Sequence, residues 1–274
     1  MHSLCVTLER DFQVQSDFQA QAGQDKHVLK NLLLNCGKGF YVEFGARDGK
    51  EHSNTYFFEK QLGWRGMLFE VDPSQLPNLR QNRPAAIVYE GAVCPRAQTE
   101  LTFGISQFPG WSGAMSTYEP SRSTSMQRTM KVKCFHLADE LRAHGVHTVD
   151  YMTIDTEGSE PDIIEDFPWA EFNIKVVQIE QLHEGKYPAQ RGKKARIQRA
   201  MARNGYTFLK AYEVAQHDTE DLIFTRNVAT SANVSDPVLN HVRNRFGLAD
   251  LARRSAYGRS DRGGLAAAIG RVRA

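Results

Sequence analysis

Phe40-Tyr41-Val42-Glu43-Phe44-Gly45-Ala46-Arg47-Asp48-Gly49 begins as an aromatic and β-branched run and ends in a turn. Such a run favours a buried strand. The turn carries glycines at 45 and 49, and glycine permits backbone angles and close approaches that a Cβ would block. A strand feeding such a turn, at the carboxyl edge of a parallel sheet, is where α/β proteins hold nucleotide-like cofactors. Glu43-x-Gly45-x-Arg47-x-Gly49 is not the phosphate-binding Gly-x-Gly-x-x-Gly, and no Gly-Lys-Ser/Thr follows. Neither a pyrophosphate nor a triphosphate is therefore the first expectation.

On either side of this stretch, strand-like and helix-like segments alternate. Strands are expected at 40–44, 66–70, 86–89, 150–155, 174–180, 206–211 and 221–225, with helices near 54–62, 74–81, 136–144, 160–166 and 189–204. Ahead of the first strand, His27 to Leu34 reads as a helix with Asp25 as N-cap and Gly37 past its end. Strands alternating with helices indicate βαβ units and a mostly parallel sheet covered on both faces. The last two strands, joined by a short polar stretch, can form an antiparallel pair at the sheet's edge. Residues 95–135 break the rhythm: a strand-like Glu100-Leu101-Thr102-Phe103 is followed by Pro109-Gly110-Trp111-Ser112-Gly113 and the Ser/Thr/Arg-rich 116–129. An irregular insertion of that length reads as a lid or substrate loop.

The carboxyl ends of the expected strands carry a second pattern: Glu43, Glu70, Glu90 (one residue beyond), Asp155 and Glu180. Parallel strands bring these ends to one edge, where crowded carboxylates repel each other and are costly to bury without partners. The pattern makes sense where the edge binds cationic or hydroxyl-rich groups. An acidic first position suits an amine- and sulfonium-bearing cofactor, S-adenosylmethionine, and Glu70 is placed to accept from ribose hydroxyls. Glu90-Gly91-Ala92-Val93 is placed to line an adenine, with the amide near Ala92 reading the ring.

Candidate cofactor-binding residues are thus Glu43, Gly45, Arg47, Asp48, Ser53, Asn54, Glu70, Ala92 and Asp155. Ser53 or Asn54 caps the first crossover helix, whose starting amides can face the cofactor's carboxylate. Asp155-Thr156-Glu157-Gly158-Ser159-Glu160 is the second strong motif, with Ser159-Glu160-Pro161 suited to a helix start. Asp155 and Glu157 can act as a general base, a metal-ligand pair or an electrostatic wall. Asp155, Glu157 and His183 are the catalytic candidates. Glu180, His183 and Trp111 are candidates for contact with substrate or a metal. One His among carboxylates does not fix a metal, so a divalent ion is possible but not favoured.

Composition narrows the class. The chain has 274 residues, 41% hydrophobic and 24% charged, values ordinary for a globular protein. No apolar run approaches the roughly 20 residues of a membrane helix. The polar, acidic residues 1–30 do not read as a signal peptide. Cys5, Cys36, Cys94 and Cys134 are scattered, with no Cys-x-x-Cys. This argues against structural zinc and a disulfide framework and leads to the expectation of a reducing, cytoplasmic compartment. Residues 227–274 hold eight arginines against three aspartates, a local +5 that leaves −3 on residues 1–226 of a chain with net charge +2. Val238, Val242, Phe246 and Leu248 can support a short helix in this tail. The expected division is a 1–24 extension, a 25–226 catalytic domain and the 227–274 Arg-rich tail.

Taken in order, these motifs resemble the FkbM family of class I S-adenosylmethionine-dependent methyltransferases. The likeness runs through Gln24-Asp25, Phe40 to Gly49, His52-Ser53-Asn54-Thr55, Glu59-Lys60, Leu62-Gly63-Trp64-Arg65-Gly66, Glu70, Asn82-Arg83 and Ala92-Val93. It resumes at Ser112-Gly113, Val149-Asp150-Tyr151, Asp155 to Glu160, Ile179-Glu180 and Gly205-Tyr206, covering about residues 22–226. The resemblance implies a Rossmann-like, mostly parallel seven-stranded sheet with an antiparallel edge strand. It also implies methyl transfer to an oxygen, commonly a hydroxyl of a sugar, glycan or small hydroxylated metabolite. By motif, Glu43, Gly45 and Glu70 would hold the cofactor, and Asp155 and Glu157 would lie at the catalytic edge. Arg47 stands where the family often has Asn, which bears on local polar contacts. Two other classes remain open, a catalytically silent binding module and a nucleic-acid methyltransferase using the basic tail. The acidic body and the lack of an Asn-Pro-Pro-Tyr motif count against nucleic acid.

Overall fold

The computed structural model describes residues 18–32, 38–108, 110–214 and 218–226. The Arg-rich tail, with the helix expected near Val238, lies outside the described residues, as do Cys5, Cys36 and Gly37. The first half runs α1 (Gln24–Asn31), β1 (Phe40–Phe44), α2 (Tyr56–Leu62), β2 (Arg65–Glu70), α3 (Leu76–Asn82), β3 (Ile87–Glu90) and β4 (Ala92–Val93). There follow β5 (Glu100–Ser106), β6 (Gly113–Ala114), β7 (Met126–Phe135), α4 (Leu137–Ala143) and β8 (Thr148–Ile154). The last elements are α5 (Glu160–Asp166), β9 (Asn173–Leu182), α6 (Lys193–Arg203), β10 (Thr207–Val214) and β11 (Thr219–Thr225).

Seven of these strands form one sheet in the order β10-β11-β9-β8-β1-β2-β3. The pairs from β9 through β3 are all parallel. The antiparallel strand is β11, which lies one place in from the edge, between β9 and β10. The order reverses between β1 and β8, and the crevice at their carboxyl ends is the switch point where open α/β sheets bind ligands.

Strand periodicity sorts the core onto two faces. Val42, Phe44, Met152, Ile154, Val177 and Ile179 point into one apolar layer, under α4, α5 and α6. Tyr41, Tyr151, Val176 and Ile223 point into the other, with α1 and α2. The second face turns polar toward the crevice. In register across it stand Glu43 beside Thr153, Thr153 beside Gln178, Glu180 beside Asp221 and Leu182 beside Thr219.

Several local expectations are corrected. Asp25 is not the N-cap of α1; Gly23 holds that position. The Asp25 carboxylate instead accepts from the amides of Gln19, Ala20 and Lys26 at 2.8, 3.1 and 2.7 Å, fastening the segment ahead of the helix. Thr55, not Ser53 or Asn54, is the cap position of α2, although Ser53 Oγ accepts from the Thr55 and Tyr56 amides. The segment 95–135 is ordered rather than irregular. It supplies most of a second sheet, β4-β7-β5-β6, in which β5 and β7 pair antiparallel over most of their length. Its alternation was masked because polar and apolar residues are unevenly spaced on strands exposed to solvent on one side. Cys94 and Cys134 form a disulfide beside β4 and within β7, across 40 residues of chain. That bond corrects the expectation that these scattered cysteines form no disulfide and removes the ground for expecting a reducing compartment. No described helix is long and apolar enough to cross a membrane.

Arg83, fully buried, locks the β1–α2 connection. Its guanidinium donates to Glu59 Oε2 at 2.8 Å, Gly49 O at 3.2 Å, Ser53 Oγ at 3.1 Å and Thr55 Oγ1 at 2.9 Å. It also lies 3.6 Å from Glu43 Oε2 and over the Tyr41 ring. Replacing one member of such a network strands the rest as uncompensated buried charge. Arg83→Met is expected to lower unfolding free energy by about 3–5 kcal/mol, measured by urea denaturation; a loss below about 1 kcal/mol would contradict this arrangement.

Candidate active site

Two adjoining cavities open at the carboxyl edge of the large sheet. The larger, about 420 Å³, lies over β1, β2 and the β3–β4 turn, where Phe44, Phe69, Glu70 and Ala92 line it. Leu101, Phe103 and Ile105 of β5 wall it on the far side, so the second sheet forms part of the pocket. The smaller, about 230 Å³, lies toward the polar face and is lined by Glu43, His52, Asn54, Trp111, Glu180 and Thr219, among others. Gly45, Arg47, Asp155 and Glu157 line both.

Gly45 makes this junction possible. It sits at φ +69°, and a Cβ there would stand 2.4 Å from the carbonyl oxygen of Asp155. The turns after β1 and β8 therefore touch backbone to backbone. Arg47, His52 and Glu157 also adopt positive φ (50°, 65° and 58°), and all three line the smaller cavity. Left-handed non-glycine residues persist where the surroundings over-determine them, a pattern concentrated at functional sites.

Each acidic residue is held differently. Glu43 is buried: Oε1 accepts from the Asn54 amide at 2.9 Å, and Oε2 accepts from the hydroxyls of Ser53 (2.8 Å) and Thr55. It thus fixes the start of α2 as well as edging the smaller cavity. Glu70 accepts from the amides of Val71 and Asp72 through Oε1 at 2.8 and 2.7 Å, and from the Arg47 amide through Oε2 at 2.6 Å. Burial pushes its carboxyl up, against the pull of those amides. Oε2 keeps a lone pair for a ligand.

Asp155, Glu157 and Glu180 converge, each offering a carboxylate oxygen within 4.8 Å of the others. Burial pushes Asp155 up to about 7 and Glu157 up to about 8. Glu180 is pushed well up, first by burial and then by the charges of Asp155 and Glu157, and a hydrogen bond joins Glu180 to Asp155. Glu157 is held by Arg122, whose Nη1 donates to Oε2 at 2.5 Å. Arg122 is itself clasped between the rings of Trp111 and Tyr187, at 4.6 and 4.5 Å. Glu160 Oε1 accepts from the amides of Thr156 and Gly158 and from the Thr156 hydroxyl, and Lys193 Nζ donates to Gly158 O at 2.6 Å. The 155–160 turn is therefore braced from α5, α6 and the β6–β7 connection that carries Arg122.

Not every expected residue reaches the site. His183 is a correction: it follows β9 and its Nε2 lies 2.7 Å from Glu213 Oε2 on β10, lining neither cavity. Continuing three residues past Glu180 carries it over the sheet's edge. Asp48 also lines neither cavity; its carboxylate accepts from the Lys50 and Glu51 amides within its own turn. Arg122, Thr219 and Asp221 line the smaller cavity and carry no site signal in the sequence. No local pattern marks Arg122 in its Ser/Thr-rich surroundings, whereas Thr219 and Asp221 were legible only as β residues whose face depends on the β9–β11 register.

The model of the methyltransferase FkbM domain matches residues 43–208. The chain belongs to this family. It is a methyltransferase-family α/β protein, and S-adenosylmethionine is its cofactor. Among solved structures, Aeropyrum pernix fibrillarin with natively bound S-adenosyl-L-methionine is 11% identical, with 69% of this chain and 68% of that chain covered and a TM-score of 0.41. The O-methyltransferase from Bacillus cereus in complex with SAH is 11% identical, covering 75% and 80%, with a TM-score of 0.44. Precorrin-6y C5,15-methyltransferase from Geobacter metallireducens GS-15 is 10% identical, covering 74% and 87%, with a TM-score of 0.39. At that distance no residue role passes between them. No curated protein matches significantly.

The cavities suit the cofactor's chemistry: apolar walls at Phe69 and Val93, an acceptor at Glu70 Oε2, and the buried Asn54 Oδ1, which has no hydrogen-bond partner among the described residues. Gly45→Ala is expected to cost about 1–3 kcal/mol of stability from backbone angle alone and to weaken S-adenosylmethionine binding by separating the two turns. Denaturation and calorimetry on the same sample read both effects, and unchanged affinity would show the contact to be dispensable.

Proposed function

We propose that this methyltransferase transfers a methyl group to oxygen, on a hydroxyl of a sugar, glycan or small hydroxylated metabolite. The observation that carries the reading is Asp155: it stands at the exit of β8, lines both cavities, and is pushed up to about 7 by burial. A base serves best when its affinity for protons is near the working pH. An alcohol is too weakly acidic to surrender its proton unaided, so the reaction calls for such a group where cofactor and acceptor meet.

S-adenosylmethionine, when bound, supplies an electrophilic methyl on a sulfonium. In the larger cavity Glu70 would take the ribose hydroxyls, while the wall near Ala92 and Val93 would take the adenine. Glu43 near the end of β1 and Asn54 ahead of α2 edge the smaller cavity where it adjoins the larger, and would stabilise the cofactor's ammonium there. The smaller cavity would hold the acceptor, with Trp111 and Arg122 as its rim. Asp155 would receive the hydroxyl proton as the oxygen attacks. Glu157, anchored by Arg122, would stand beside the sulfonium. Holding the acceptor oxygen in line with the methyl can supply up to about 7–11 kcal/mol, and the positioned base adds about 10²–10⁴-fold.

A screen of glycans and hydroxylated metabolites with methyl-labelled cofactor tests the reading; label found only on nitrogen or carbon would refute it. Asp155→Asn is expected to abolish turnover while S-adenosylmethionine affinity, by calorimetry, stays within a few-fold. Retained turnover would remove Asp155 from the mechanism. Glu70→Ala is expected to weaken cofactor affinity about 10–100-fold, the worth of a charge-assisted hydrogen bond, and an unchanged dissociation constant would reassign the ribose site.

A further inference from the structure

The convergence of Asp155, Glu157 and Glu180 carries more than a base. Three carboxylate oxygens within 4.8 Å of one another match the spread of donors around one hard cation: ligands about 2.1–2.5 Å from an ion lie roughly 3–5 Å apart. Three carboxylates at that spacing, with Glu157 and Glu180 buried and Asp155 half-buried, repel each other unless a proton or a cation lies between them. Arg122 offsets only part of this charge, holding Glu157 Oε2 and leaving Oε1 free to turn inward. Asp221, paired with Glu180 in register and also buried, adds a further negative charge behind the cluster.

A second, independent feature points to a ligand. Thr219 is 1% exposed, and its Oγ1 has no hydrogen-bond partner among the described residues. It lines the same cavity as the three carboxylates. Because Leu182 pairs with Thr219 and Glu180 with Asp221, the Thr219 side chain shares the face of the sheet on which Glu180 stands. A buried hydroxyl without a partner is costly, and this one is placed to donate to, or be bridged by, an ordered ligand beside Glu180.

We propose that Asp155, Glu157 and Glu180 form a divalent-cation site at the junction of the two cavities, with Thr219 Oγ1 as its nearby hydroxyl. Hard oxygen donors alone select Mg²⁺, Mn²⁺ or Ca²⁺ over zinc or copper. Three protein oxygens leave coordination positions open toward the smaller cavity, where water or the acceptor oxygen can enter. An acceptor hydroxyl bound to the ion loses its proton more readily, and Asp155, ligating the ion through one carboxylate oxygen, takes that proton through the other. The site's existence rests on geometry; its role in activating the acceptor rests on the methyl-transfer reading above.

Mn²⁺ is the probe. Titration of the full chain, followed by loss of the free-ion electron paramagnetic resonance signal, is expected to show one saturable site. Glu180→Gln and Glu157→Gln should each weaken it about tenfold or more, the scale on which ligand-shell changes act. Thr219→Val should weaken it about threefold, the scale of one neutral hydrogen bond, and this mild variant decides the matter if the carboxamide variants do not fold. No saturable binding to the wild type below about 1 mM, weaker than the extracellular class of calcium sites, overturns the site, as does wild-type affinity in the variants that fold. The two readings fail separately. Label transfer that persists in excess EDTA, with no Mn²⁺ bound, removes the ion and leaves the methyltransferase; tight Mn²⁺ binding without transfer to any oxygen acceptor does the reverse.

Discussion

Carboxylates leave adjacent parallel strands at one edge of this sheet, and a protein interior tolerates them only when donors or opposite charges stand against each one. Glu43 is met by the Ser53 and Thr55 hydroxyls, the Asn54 amide and, at 3.6 Å, Arg83. Glu70 is met by three backbone amides, and Glu160 by the turn that precedes it. The geometry of both strand-exit turns follows from these contacts. Where compensation is incomplete, at Asp155, Glu157 and Glu180, the site has its unmet demand for a proton or a cation.

That demand is kept by rigid surroundings. Gly45 lets the first turn press against the backbone of Asp155, Lys193 reaches across from α6 to Gly158 O, and Arg122 reaches across to Glu157 from the 3₁₀ turn between β6 and β7. A carboxylate cluster on a mobile loop would relax apart and become solvated. Here it is stapled from three directions, so its members stay close despite their mutual repulsion. The second sheet has a further consequence: β5 walls the larger cavity, so the elements that shape the cofactor pocket also set the position of Glu157. The Cys94–Cys134 bond fastens the start of that sheet to the end of β7.

Much of this was legible in the chain. Strand–helix alternation placed β1, β2, β8 and β9 within a few residues of their observed bounds, because buried parallel strands read as continuous apolar runs. Gly45, Arg47, Ser53, Asn54, Glu70, Ala92, Asp155, Glu157, Glu180 and Trp111 all line one cavity or the other, since a parallel sheet brings its strand ends together by construction. His183 was misplaced because proximity in sequence to Glu180 says nothing about the side to which the chain turns after a strand. Residues 95–135 looked irregular because exposed and buried positions do not alternate regularly along β5 and β7, and a 3₁₀ turn at Pro120–Ser125 lies between them.

The sequence by itself determined the parallel sheet, its carboxyl-edge cleft and the acidic residues that face it. Those follow from local rules, namely apolar periodicity, glycine at the turns and one carboxylate per strand end. Only the tertiary structure decided which acids are neutralised and which remain in want of a partner. It also supplied Arg122 and Thr219 from distant segments and joined Cys94 to Cys134. The reason is physical: charge compensation depends on distances between groups far apart in the chain, and those distances are set by strand register and packing, to which no local pattern responds.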